Sequence, residues 1–261
     1  MIRAAALLAA AALAGSGAAA PFSHDLLDGL LGRHVRDGLV DYAALKQDPG
    51  LRAYMDLLAA ARPDDLPGRA GRLAFWINAY NACVLKGVAD HHPIRSVRDL
   101  GLLGRFTFFK GLEFSVAGRD LTLDAIEHGI LRAEFGDARI HFALVCASLG
   151  CPRLRSSAFH AERIEEELEA AARAFVRDPA KVRLDRAART LHLSAIFDWY
   201  AADFEKEAGS VLAYVRRYLP PEDAAAAGEA GIRIVHDPYD WALNGREPSP
   251  AAPGRGPEPL C

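Results

Sequence analysis

Between Leu73 and Val88 the chain carries a single charged side chain, Lys86. A helix that is apolar on nearly every side has to be buried, so other elements must pack around this segment. At 100° per residue, Asn78 and Asn81 fall about 60° apart on one side of it, with Cys83 pointing nearly opposite. Buried amides must be hydrogen-bonded. The two asparagines therefore either tie down backbone, or orient a histidine or donate to a developing oxyanion.

Flanking segments supply the packing partners. Residues 22–60 read as helical, with Leu26, Leu27, Leu30, Leu31 and Val35 in one stripe and Leu51, Tyr54, Met55 and Leu58 in another. Thr107 to Phe109 and Glu113 to Val116 have the look of short strands, and Asp124 to Arg132 reads as a third helix. A longer helix covers 161–177. Val182 and Leu184 alternate against Leu191 and Leu193 as a hairpin. Helices over 195–204 and 211–218 precede a last strand, Ile232 to Val235. Helices interspersed with short, sequence-adjacent strands predict an α+β single domain.

Ile140 to Cys146 has one polar side chain, His141, and is stopped by Gly150 and Pro152. Such a run predicts a strand buried on both faces, the central strand of a mixed sheet packed by several helices. Catalytic groups in α/β proteins gather beyond the carboxyl ends of such strands, where Cys146 stands. On a strand His141 and Cys146 would lie roughly 16 Å apart on opposite faces, which excludes His141 as the base. His128 is the better candidate. Glu127 falls near the middle of the apolar face set by Leu123, Ile126 and Ile130, a costly place for a carboxylate without a partner. Either it closes a capping box with Asp124, or it lies buried beside a site that His128 flanks. A cysteine needs such a base or another positive neighbour to ionise at neutral pH, since its free pKa is about 8.5. The candidate catalytic residues are thus Cys146, His128 and Glu127. Asn78, Asn81, Cys151 and Asp240 are candidate substrate-binding residues.

Other chemistries fit less well. Four residues separate Cys146 from Cys151, a spacing that a turn can close into a disulfide, and a simple buried thiol is the further alternative. His141, Cys146 and Cys151 lack the tight spacing of zinc ligands, and a redox pair of the thioredoxin type wants two intervening residues. Ser148 lacks the flanking glycines of a nucleophile elbow. Cys83 reads as core. Asp237, Asp240 and Asn244 could form a third polar wall, or merely a turn about Pro238. No phosphate loop or dinucleotide fingerprint is present, and neither metal nor cofactor is expected.

Arg3 is followed by the Ala/Leu run Ala4 to Ala14 and by small residues up to Ala20. This order predicts a signal peptide over residues 1–20, hence a periplasmic or secreted protein with no stable membrane insertion after cleavage. A globular domain over 22–244 and a disordered Pro-rich tail over 245–261 complete the expected organisation. The formal net charge of -3 offers no electrostatic reason for a nucleic-acid partner, which leaves a small molecule or peptide. In an oxidising compartment the four cysteines, Cys83, Cys146, Cys151 and Cys261, are candidates for disulfides.

Five blocks carry a resemblance. Phe75–Ala82, Ile126–Arg132, His141–Pro152, Ile196–Phe204 and Tyr239–Asn244 look like the domain of unknown function 547 family, in that family's order, over roughly residues 30–244. Bacterial members are similar in being exported, whereas plant members can carry the domain behind a coiled coil. In the plant-like pattern the position matching Cys151 is often serine while that matching Cys146 stays cysteine. The resemblance therefore argues against an obligatory disulfide and leaves Cys146 with His128 as the pair to test. Ala242 sits where the family commonly has serine. Two functions follow as expectations: a cysteine-dependent hydrolase or acyl-transfer enzyme on a peptide- or amide-like substrate, or a non-catalytic exported binding domain stapled by Cys146–Cys151.

Overall fold

The structure, a computed structural model, describes residues 22–66, 68–101 and 106–246. The signal peptide expected over 1–20 and all but the first two residues of the expected tail lie outside that range.

At the centre is a 24-residue helix, Gly68–His91, buried along nearly its whole middle. Three helices of the amino-terminal region pack on it or on one another: α1 (Asp25–His34), α2 (Tyr42–Gln47) and α3 (Pro49–Ala60), which makes the central helix α4. Local chemistry sets their starts. Asp41 accepts from Ala44 N to cap α2, and Asp48 accepts from Gly50 N ahead of Pro49 at the first turn of α3. A two-residue hairpin, β1 (Val35–Arg36) with β2 (Leu39–Val40), separates α1 from α2.

Strands β3 (Glu113–Val116) and β4 (Arg119–Thr122) form a second antiparallel hairpin. The third sheet contains β5 (Val182–Asp185), β6 (Thr190–Ser194) and β7 (Arg233–Asp237), with β6 in the middle, antiparallel to β5 and parallel to β7. Helices α5 (Ile164–Val176), α6 (Ile196–Trp199), α7 (Ala201–Ala208), α8 (Val211–Arg216) and α9 (Pro221–Ala227) complete the chain. The architecture is α+β in a single domain. No described helix is long and apolar enough to cross a membrane.

Two expectations are corrected. Ile140 to Cys146 is not a strand: Ala138–Phe142 is a 3₁₀ turn capped by Asp137, and the residues after it run as irregular chain. Its apolar side chains are buried because the segment threads between two cores, which periodicity alone cannot tell from a sheet. Ile140, Val145 and Ala147 join the core around α4, whereas Phe142 stacks among Phe175, Phe197, Phe204 and Tyr214 in the core beside the three-stranded sheet. Thr107 to Phe109 is not a strand either but part of a turn of π-helix, Thr107–Gly111. The helix expected over 124–132 is present as a π-helix, Ala125–Phe135, ended by Gly136 in the left-handed conformation at φ 57°. π-turns are rare and gather at functional sites.

Candidate functional site

Both π-helical segments and the chain around Cys146 border one cavity of about 530 Å³. Cys146, Glu127 and His128 all line it. The other candidates lie elsewhere, and their side chains are occupied. Asn78 donates to Phe159 O at 2.8 Å and accepts from Phe159 N at 2.9 Å. Asn81 donates to Ala143 O at 2.9 Å and accepts from Val145 N at 2.9 Å. Each asparagine thus fastens an irregular segment onto α4, and Asn81 fixes the three residues leading to Cys146. Asp240 is exposed and accepts from Ala242 N at 2.9 Å, which is turn chemistry. Cys151 is buried and paired with Cys146 in an intramolecular disulfide, while Cys83 is a buried free thiol in the core.

The two sulfurs share one hydroxyl. Tyr239 Oη lies 2.9 Å from Cys146 Sγ and 3.0 Å from Cys151 Sγ. Burial pushes its pKa up, so it remains a protonated donor. The loop between the cysteines is laced to the segment carrying Tyr239: Leu149 N donates to Ala242 O, Gly150 N to Asp240 O, and Asn244 N to Ala147 O. Ala147, next to Cys146, adopts φ 60°, a left-handed conformation uncommon for a residue with a Cβ. Gly150 has to be glycine, because a Cβ there would stand 2.8 Å from both the Tyr239 ring and Asp240 O.

On the facing wall the capping box is not formed, since Asp124 makes no side-chain cap. Glu127, buried at 8% exposure, accepts from Tyr200 Oη at 2.5 Å instead. Tyr80 is buried beside the same carboxylate, and its pKa is raised by burial first and then by the Glu127 charge. His128 does not contact Glu127. Arg132 Nη1 donates to its Nδ1 at 3.0 Å, and its Nε2 lies 3.6 Å from Asp124 Oδ1. With Nδ1 accepting from the guanidinium, Nε2 is the nitrogen placed to donate. Arg132 is held in turn by two bonds to Asp203, Nε at 2.7 Å and Nη2 at 2.9 Å.

His141 is 4% exposed, donates to Asp203 at 2.7 Å and stacks on Tyr200 at 3.8 Å. Asp203 consequently sits well below the usual carboxylate range. The His141 hydrogen bond is the largest cause, burial opposes it, and Arg132 adds to it.

Sequence reasoning missed the aromatic and cationic groups of this site. The helix expected over 195–204 breaks at Tyr200, and Trp199 is 45% exposed. The usable signal was the pair of aromatic clusters Trp199-Tyr200 and Tyr239-Asp240-Trp241, dense in rings that carry polar tips. Lys110 gave no signal, because it falls in the break between the two short strands expected at 107–109 and 113–116. Among the described residues no group of three or more His, Cys, Asp and Glu side chains could hold a metal ion.

Residues 63–176 match the family described as "Protein of unknown function, DUF547". The match takes in α4, the π-helix with Glu127 and His128, both disulfide cysteines and α5; the blocks at 196–204 and 239–244 lie beyond it. No curated protein and no solved structure matches the chain.

Proposed function

We propose that this chain, which resembles the DUF547 family over residues 63–176 and there includes Glu127, His128 and Cys146, is an exported thiol-dependent enzyme acting by acyl transfer or hydrolysis on a peptide- or amide-like bond. One observation carries the reading: the half-buried Cys146 shares a cavity of about 530 Å³ with Glu127 and His128, whereas its disulfide partner Cys151 is buried. A dithiol reductant would first open the bridge, taking the disulfide to two thiols while it is itself oxidised. The Cys146 thiol then gives its proton to bulk water, and the Tyr239 hydroxyl hydrogen-bonds the resulting thiolate, favouring the charged form. The thiolate sulfur bonds to the substrate carbonyl carbon, and the Nε2–H of His128 serves the developing oxyanion. The carbon–nitrogen bond breaks, the amine leaves with a proton from water, and a second water or another nucleophile releases the acyl group from sulfur.

The test is acylation by a chromogenic activated amide after reduction, followed by mass spectrometry. An acyl adduct on Cys146 that is absent from Cys146→Ser, and from unreduced protein, is the expected result. Labelling no faster than that of a free thiol peptide sinks the proposal.

The disulfide itself favours a second reading, a binding domain stapled by Cys146–Cys151. In that case Cys146→Ser with Cys151→Ser would lose stability and no reactivity.

A further inference from the structure

Glu127 is a buried carboxylate that the acyl-transfer steps do not use. Its hydrogen-bond partners are the hydroxyls of Tyr200 and Tyr80, and no described cation forms a salt bridge with it, although the Arg132 charge acts on it at longer range. Neighbouring cations are committed elsewhere. Lys110 Nζ lies 3.2 Å from Asp124 Oδ1, and Arg132 spends Nε and Nη2 on Asp203 and Nη1 on His128. The cavity wall therefore presents one carboxylate that is bonded to hydroxyls and has no salt-bridge partner. A ligand ammonium placed against such a carboxylate would complete a charge-assisted hydrogen bond that the described chain leaves unmade.

Beyond Lys110 and Arg132, much of the remaining wall is aromatic. Trp199 and Trp241 stack with ring centres 5.9 Å apart, and Phe106 and Phe109 line the same cavity. Phe106 and Trp199 are 53% and 45% exposed, so the apolar surface is open to an incoming group. Aromatic faces attract organic cations through the ring quadrupole, and they bury the alkyl or aryl part of such a ligand.

We infer that the cavity takes a substrate bearing an ammonium group on an apolar arm, with the ammonium on Glu127 and the arm between Trp199, Trp241 and Phe106. For catalysis this rests on the thiol-enzyme reading, whose substrate class it names as a cationic amine or an amide carrying one. The binding step stands apart from the sulfur chemistry and is measured apart from it.

The experiment titrates phenethylamine in its ammonium form, with 2-phenylethanol and 3-phenylpropionate as neutral and anionic counterparts. It is followed by calorimetry and tryptophan fluorescence on unreduced protein, where Cys146 cannot react. The ammonium should bind about 10-fold more tightly than the alcohol, and the carboxylate more weakly than either. Glu127→Gln should abolish the preference for the ammonium while retaining the alcohol's affinity, and Trp199→Ala should weaken both ligands alike. Equal binding of ammonium and alcohol by the wild-type protein overturns the inference without any variant, as does tighter binding of the carboxylate. An ammonium preference in a protein that forms no acyl adduct would remove the enzyme reading and leave the ligand assignment standing.

Discussion

Two helices of this protein carry polar residues on otherwise apolar faces, and they use them in opposite ways. On α4, Asn78 and Asn81 are 1% and 5% exposed, and both ends of each amide are bonded to backbone. On the π-helix Ala125–Phe135, Glu127 and His128 bond to other side chains and border a void. An amide that matches both a carbonyl and an N–H is a fastener for irregular chain. A carboxylate and an imidazole held by hydroxyl and guanidinium groups keep capacity for something not yet there. The partner, not the residue type, separates structural polar groups from candidate functional ones.

The largest expected effect falls on the fasteners. Asn81→Ala leaves Val145 N and Ala143 O unsatisfied in the core and should cost about 2–4 kcal/mol in urea unfolding. A cost below about 0.5 kcal/mol would mean that the clamp is dispensable and the comparison fails.

Reducing the disulfide should cost about 2 kcal/mol, since the loop it closes is short. Gly150→Ala drives a methyl against the Tyr239 ring and should cost about 1–3 kcal/mol and speed reduction of the bridge. Unaltered reduction kinetics would dissociate Tyr239 from the sulfurs.

Asp203 links the two kinds of polar group through pH. Its folded pKa lies below the unfolded value, so its stabilisation is full above the unfolded pKa near 4 and is lost as pH falls through the folded value. Asp203→Asn should therefore be less stable than wild type near neutrality, with the gap closing in urea midpoints measured below about pH 4. A gap that stays constant with pH would show that hydrogen-bond geometry, not charge, is what Asp203 supplies. The smallest stability change belongs to the cavity wall: His128→Ala should stay within about 0.5 kcal/mol of wild type while altering Cys146 acylation.

Much of the frame was legible in the chain. The buried α4, the α+β mixture, the hairpin of β5 and β6 and the packed position of Cys83 all follow from periodicity and charge placement. The Cys146 segment was misread for a physical reason. A short apolar run records burial but not conformation, and Asn81 fixes its path from a helix 62 residues earlier in sequence. Glu127 stood out as misplaced on its helix face, yet its partner Tyr200 lies 73 residues away and could not be read from spacing.

What the sequence by itself determined is which segments must be buried and which polar residues would be costly there, because burial is written in side-chain type and period. Tertiary structure alone decided where those polar groups found partners. It spent the asparagines on backbone, closed Cys146 onto Cys151 beneath Tyr239, and left Glu127 and His128 facing a cavity. Hydrogen bonds act over about 3 Å, and only the folded chain brings residues so distant in sequence within that reach.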